Sequence, residues 1–175
     1  MRIFFTVIVT IAVLLGALTI GGYAYLKTHP FSARAKPSGL ETSLARTVRY
    51  VSSPAGTHTL ANPVPATEDA IAEGRRHYSQ MCVVCHGSDG RGATETGEGL
   101  YPPMPDLTSK ETQTMTDGDL YNVVKNGIPF SGMPAWSEEE PVYWKIVDFI
   151  RHMPQMTPAE SAQVQRMSGM RVEHE

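Results

Sequence analysis

The sequence of 175 residues has only two cysteines, Cys82 and Cys85. If one motif uses both, no cysteine is left for a structural disulfide, and a zinc site built from two cysteine pairs is excluded. No segment combines clustered basic residues with aromatic ones, so nucleic acid is not an expected partner. No stretch alternates apolar and polar residues well enough to predict a strand. These absences favour an all-α protein whose chemistry centres on one cysteine pair.

Charge is absent from residues 3–26, which form one continuous apolar run. As a helix this run would be about 36 Å long, enough to cross a hydrocarbon core of about 30 Å. The run exceeds the 7–15 apolar residues usual in a secretory signal, although Gly22-Tyr23-Ala24 resembles a cleavage site. We therefore interpret residues 1–26 as a retained transmembrane anchor and treat a cleaved signal as the alternative. The flanking charges orient this helix poorly.

The overall charge of −3 hides a strong asymmetry along the chain. Residues 1–65 contain six basic side chains and one acidic one, whereas residues 66–175 contain nine basic and seventeen acidic ones. The two parts are therefore expected to meet different surroundings. For the acidic part, a basic docking surface on the partner is the corresponding expectation.

Residues 27–66 are rich in proline, serine, threonine and alanine, and they predict a linker. Apolar residues recur there at helical spacing, at Leu40, Leu44, Val48 and Val51. One interpretation is a short amphipathic helix on a membrane surface or on a partner. The interpretation we favour from the sequence is an irregular, flexible linker in which this periodicity arose by chance.

Residues 67–153 predict a head of three short helices, followed by a polar tail over residues 154–175. The first helix should run from about Thr67 to Gln80, and the second should begin with a cap at Thr116 and stop at Gly127. The third should begin between Ser137 and Pro141 and end at Pro154. Thr157-Pro-Ala-Glu in the tail resembles the start of a short outer helix. A head this small with so much loop has too little core, and a large buried cofactor would complete it.

The segment Cys82-Val83-Val84-Cys85-His86 identifies that cofactor. Two thiols separated by two residues can form thioethers with the two vinyl groups of one haem, and the next residue can bind the iron from the same side. A thioredoxin-like redox pair expects a strand before it and a helix after it, but here a helix precedes and a glycine-rich loop follows. The histidine directly after the second cysteine favours covalent attachment of one haem c.

With these residues the chain resembles the class I c-type cytochromes, in particular small bacterial membrane-tethered and oxidase-subunit-like members. The resemblance covers about residues 67–153. It is carried by segments 74–92, 101–108, 126–136 (Asn-Gly-Ile-Pro-Phe-Ser-Gly-Met-Pro-Ala-Trp) and 144–151. It implies short helices wrapped around haem, with the first and last helices crossing so that Gly74 and Tyr78 lie near Trp144 or Phe149.

Five methionines in or near the head could supply the second axial ligand of the iron: Met81, Met104, Met115, Met133 and Met153. Each is more often a core residue than a ligand. Met133 lies in a Gly-Met-Pro loop that could reach the far face of the haem, and the resemblance places the axial thioether there. Met104 is the alternative. The resemblance also implies that a proline carbonyl, from Pro103 or Pro105, orients His86.

From the haem motif and the resemblance, the expected function is transfer of single electrons, without enzymatic activity of the chain's own. The alternative is a haem enzyme or gas sensor with an open iron site. Redox proteins of respiratory or dehydrogenase complexes in the membrane are the expected donor and acceptor, and the chain is either free-standing or a subunit of such a complex. The resemblance places haem attachment on the periplasmic side, so the expected location is the bacterial inner membrane, with one span and an external haem domain.

Overall fold

The structure is a computed structural model that describes residues 2–29 and 32–169. All regular secondary structure within these two ranges is helical, which confirms the expected fold class. The described residues divide into two compact units, one ending at Ser32 and the other beginning at Ala33. Residues 170–175 of the predicted tail, including His174, lie outside the described residues.

The first unit consists of helix α1, Arg2–Thr28. Its length and hydropathy are sufficient to cross a membrane, but a signal sequence near an N-terminus would meet the same criteria. The hydroxyls of Thr6, Thr10, Thr19 and Thr28 each donate to a backbone carbonyl one turn earlier, at 2.9–3.1 Å. The threonine hydroxyls of this helix therefore satisfy their own hydrogen bonds, as an apolar environment would require.

The second unit contains eight α-helices among its described residues, with short 3₁₀ turns at Thr57–Thr59 and Met153–Gln155. The helices are α2 Gly39–Ser52, α3 Glu68–Met81, α4 Val83–His86, α5 Glu95–Glu98, α6 Lys110–Gln113, α7 Asp117–Asn126, α8 Glu140–His152 and α9 Pro158–Gly169.

The three predicted helices of the head are present as α3, α7 and α8. The Thr67 side chain caps α3, and Thr116 forms a reciprocal capping box with Asp119 at the start of α7. Gly127 ends α7 as predicted. The sequence left the start of α8 open between Ser137 and Pro141; the helix begins after Glu139, which contributes no side-chain cap.

The core of the second unit is organised by the crossing of α3 and α8. Gly74 makes the close approach possible, because a Cβ atom there would lie 1.9 Å from the carbonyl oxygen of Lys145. One turn later the rings of Tyr78 and Phe149 meet edge to face, with centroids 5.3 Å apart. The crossing that the resemblance implied is therefore confirmed through Phe149, whereas Trp144 stacks on Tyr121 at 4.2 Å.

The tail helix α9 is part of the same core. It begins with reciprocal hydrogen bonds between Thr157 and Glu160, as the sequence suggested. Val164 is completely buried against the core cluster, and Glu160 pairs with Arg75 of α3 at 3.0 Å. Helix α9 is thus more firmly attached than a polar outer tail would be.

The interpretation of residues 27–66 as irregular is wrong over Gly39–Ser52, which forms helix α2. Pro37 and Pro54 lie outside this helix, so they bound it and do not interrupt it. The Ser38 side chain caps its N-terminus by accepting from the Glu41 amide. The following segment is also held, since His58 pairs with Asp119 at 2.6 Å.

Candidate haem-attachment site

The two cysteines and the histidine lie on one short helical turn at the C-terminal end of α3. Cys82 ends α3 and also caps α4, and the amides of Cys85 and His86 both donate to the Cys82 carbonyl, at 3.1 and 2.9 Å. Residues three apart in such a turn project on the same side. The spacing of the sequence motif therefore places both thiols on one side of a single turn.

Carbonyl groups at the end of this turn are satisfied by the loop that follows. The Thr94 hydroxyl lies 3.0 Å from the carbonyl oxygens of Val84 and Cys85, and the Gly92 amide donates to His86 at 2.8 Å. Just beyond the same end, the buried Tyr78 hydroxyl donates to the Gly87 carbonyl at 2.7 Å. A four-residue helix is unstable alone, so these bonds hold the turn in place.

His86 is 7% exposed, and its Nδ1 atom is buried without a hydrogen-bond partner among the described residues. Burial lowers the pKa of His86 to about 4. The imidazole is consequently neutral at physiological pH, which is the form that binds a metal. A buried imidazole with an unpartnered nitrogen is a costly arrangement in a purely structural role.

The cysteines have the properties of thiols and not of thiolates. Both are unpaired, and burial raises the pKa of Cys82 to about 12 and that of Cys85 above its usual value. A catalytic thioredoxin-like pair instead requires a lowered thiol pKa. Zinc is also disfavoured, because residues 2–29 and 32–169 contain no cluster of three His, Cys, Asp or Glu side chains. The residues present therefore fit attachment of a haem better than either alternative.

Met133 lies on a separate loop between α7 and α8. Its carbonyl accepts from Ile128 at 3.1 Å, and its amide is 3.1 Å from the Ser131 hydroxyl oxygen. Gly127, with a φ of +67°, begins this loop in a conformation that side chains rarely adopt, and a Cβ atom there would lie 2.6 Å from the Met133 oxygen. The chain thus folds tightly around the half-buried methionine.

The other candidate methionines differ in their surroundings. Met153 is 3% exposed within the core cluster, and Met81 and Met115 pack against that cluster. Met104 lies half-buried in the loop that follows the motif, and its Cβ atom is close to Gly92. Of the five, Met104, Met115 and Met133 lie in loops, with Met115 packed against the core cluster, and Met133 remains our prediction for the axial ligand.

Sequence reasoning missed several residues that hold the site. It gave no role to Thr94 or to the Tyr78 hydroxyl, because partners far apart in sequence leave no local pattern. Arg75 is partly buried and donates hydrogen bonds to Glu160 and Gln163. The expected proline carbonyl is not a partner of His86 Nδ1 in this structure, so the roles of Pro103 and Pro105 stay a prediction.

Comparison with known proteins adds an independent observation. Residues 69–150 match the protein family described as "Cytochrome C oxidase, cbb3-type, subunit III". A segment of 42 residues is 40% identical to a thiosulfate dehydrogenase from Stutzerimonas stutzeri (strain A1501). That second match covers 24% of this chain and 14% of the relative, so this chain spans only a small part of that protein.

Proposed function

Residues 69–150 are a cytochrome c domain of the cbb3-type oxidase subunit III family, and from this premise we propose that the chain is a membrane-tethered, monohaem electron carrier. The observation that carries the proposal is the turn Cys82–His86, which combines two thiols on one side with a buried, neutral imidazole.

We assign attachment of haem c to Cys82 and Cys85, and axial ligation of its iron to His86 and Met133. A haem held by these residues would supply exchange of single electrons, and thioether ligation by Met133 would raise its reduction potential. The protein's own residues provide position. Thr94 and Gly92 hold the carbonyl end of the turn, and the buried Tyr78 hydroxyl fixes the chain just beyond His86.

Intact-protein mass spectrometry tests the cofactor assignment. The mass should exceed that of the polypeptide by one haem, and this excess should survive extraction with acidified acetone. Cys82→Ala and Cys85→Ala should each leave one thioether link, and His86→Ala should abolish the low-spin spectrum. Haem that extracts freely from the wild type would overturn the assignment.

Helix α1 is the proposed tether, with the head on the periplasmic side of a bacterial inner membrane. Native protein should sediment with membranes and resist washing with salt and alkali, because burial of apolar surface and not charge would hold it. Replacing residues 1–26 by a cleavable signal should release a haem-loaded head. A native protein whose N-terminus lies near Tyr25 would instead identify the segment as a signal peptide.

The proposed donor and acceptor are redox proteins, including membrane complexes, which the name of the matched family and that of the dehydrogenase both suggest. Solubilisation in mild detergent, followed by affinity capture of the tagged full chain, should recover a redox complex. Carbon monoxide distinguishes the alternative function, a haem enzyme or gas sensor. Reduced wild-type protein should not bind it at neutral pH, whereas an open iron site would.

A further inference from the structure

Helix α2 presents its apolar residues to solvent. Four apolar side chains recur at spacings of four, four and three residues, which puts them on one face of the helix. We call this face the α2 stripe: Leu40, Leu44, Val48 and Val51, which are 82%, 62%, 57% and 76% exposed. A surface helix of a soluble domain normally turns such a face to the core.

The opposite, polar face of α2 packs on the rest of the second unit. Arg46 pairs with Glu111 at 2.5 Å, and Tyr50 stacks on His58 with ring centroids 3.9 Å apart. Arg49 lies with Met115 in the groove between α2 and α7. The helix therefore touches the second unit through a few specific contacts of its polar side, with no residue of α2 buried, and these contacts favour the orientation that exposes the stripe.

A partner for the stripe is suggested by what precedes it along the chain. Residues 29–38 separate α1 from α2, and they can span at most about 36 Å even when fully extended. If α1 crosses a membrane, which is the function proposed above, α2 cannot move far from the lipid surface. We propose that the α2 stripe lies in the membrane–water interface, with the head attached to its polar side.

Charge supports lipid as the partner. Residues 27–38, between the apolar run and α2, carry three basic side chains and no acidic one, whereas residues 66–175 carry nine basic and seventeen acidic ones. An anionic lipid surface attracts the first segment and repels the second. The head would accordingly meet the membrane through α2, and an apolar helix face buried at the headgroup boundary is a known mode of attachment.

The test uses the full, haem-loaded chain in vesicles of phosphatidylethanolamine and phosphatidylglycerol. When Cys82 and Cys85 are bound to haem, a single new cysteine can carry a nitroxide label. We would compare Val48→Cys on the stripe with Ala45→Cys, an exposed position about 60° from Val48 and about 100° from the middle of the stripe around the same helix. Leu14→Cys in α1 reports on the tether. Relaxation by oxygen reveals lipid exposure, and relaxation by a water-soluble nickel chelate reveals water exposure.

We expect oxygen to relax the Val48 label several-fold more effectively than nickel does, with the reverse at Ala45. Nickel-dominated relaxation at Val48, together with lipid exposure at Leu14, would overturn the proposal and leave the tether intact. Lipid exposure at Val48 without it at Leu14 would support the interfacial helix and refute the tether. A Val48 label could instead be protected from both reagents, with a broadened spectrum that sharpens when unlabelled chain is added. That result would mean that a second copy of the chain covers the stripe, and it would also overturn the proposal.

Discussion

Two regions of the second unit differ in how completely they pack. At the crossing of α3 and α8, Tyr78, Ile146, Val147 and Phe149 are at most 1% exposed. Around the candidate site, Val84 on α4 is 58% exposed and Phe130 on the Met133 loop is fully exposed, while Met104 and Met133 are only half-buried. The helix crossing is complete with protein atoms alone, whereas the region of the site has exposed apolar groups that a haem or a redox partner would cover.

The difference shows that the fold and the site depend on different contacts. The crossing is stabilised by burial and close packing, so any added volume there must displace backbone. The loops are held mainly by hydrogen bonds such as Gly92 to His86 and Ile128 to Met133. Substitutions at the crossing should therefore affect the fold, and substitutions on the loops should affect the haem or its partners.

The largest effect is expected from Gly74→Ala. The added Cβ would lie 1.9 Å from the Lys145 carbonyl oxygen, so α3 and α8 must separate. We expect a loss of about 3 kcal/mol or more in the free energy of unfolding, measured by denaturant titration. Gly39→Ala is the matched control, because nothing lies within 4 Å of its added Cβ. Equal stability of the two variants would contradict this account of the crossing.

Met133→Ala should leave the fold intact and change the haem. Loss of the thioether would open the sixth position, so reduced protein should bind carbon monoxide and the reduction potential should fall. Circular dichroism should show unchanged helix content, since Met133 lies outside the core cluster. Met104→Ala is the control. If it opens the iron and Met133→Ala does not, Met104 is the ligand.

Asp148→Asn should stabilise the crossing in a pH-dependent way. Asp148 is 6% exposed; its Oδ1 accepts from Asn62, while its Oδ2 is buried without a partner. Burial, with a contribution from Asp117, raises its pKa to about 6. The folded state therefore binds this proton more tightly than the unfolded state does, and wild-type stability should fall as the pH rises from about 4 to about 6.

The asparagine keeps an acceptor for Asn62 and carries no charge, so near pH 7 it should gain about 2 kcal/mol in the free energy of unfolding. Chemical denaturation at several pH values measures both effects. The exposed Glu98→Gln should show neither the gain nor the altered pH profile. A wild-type stability that rises between pH 4 and 6 in parallel with that of Asp148→Asn would argue against a buried charge.

The smallest effect is expected from Phe130→Gly on the Met133 loop. Phe130 has a φ of +60°, which costs a side-chain-bearing residue about 1 kcal/mol, yet its ring is fully exposed. We expect glycine to keep or raise stability while slowing bimolecular electron transfer to the membrane partner a few-fold. A Phe130→Gly variant that keeps or gains stability but transfers electrons more slowly would show that the ring contacts the partner. Leu60→Ser is the control. If Phe130→Gly transfers electrons as fast as the wild type and this control do, the ring has no role in docking.

The rate of bimolecular electron transfer to the membrane partner, measured at increasing salt concentration, distinguishes apolar from electrostatic docking. If the acidic head is drawn to a basic partner, screening over about 10 Å at 0.1 M salt should slow the wild type. A rate that is flat or rises with salt would leave the apolar contact as the explanation.

Local signals in the sequence were sufficient for several parts of the protein. The caps at Thr67 and Thr116 and the stop at Gly127 located α3 and α7, because caps act within one turn of the chain. The order Cys82, Cys85, His86 specified the cofactor class for the same reason, since the chemistry needs residues that are adjacent in sequence. The apolar run of α1 likewise needs no tertiary contact to be recognised.

Contacts between distant residues were decided only by the tertiary structure. The sequence favoured a flexible linker where α2 forms, because it could not show that Arg46 would meet Glu111 or that Tyr50 would stack on His58. Nor could it show that Thr94 would close the motif turn or that Val164 would be buried. A local pattern fixes which face of a helix is apolar, but only its neighbours in space decide whether that face is covered, and in α2 they cover the polar face instead.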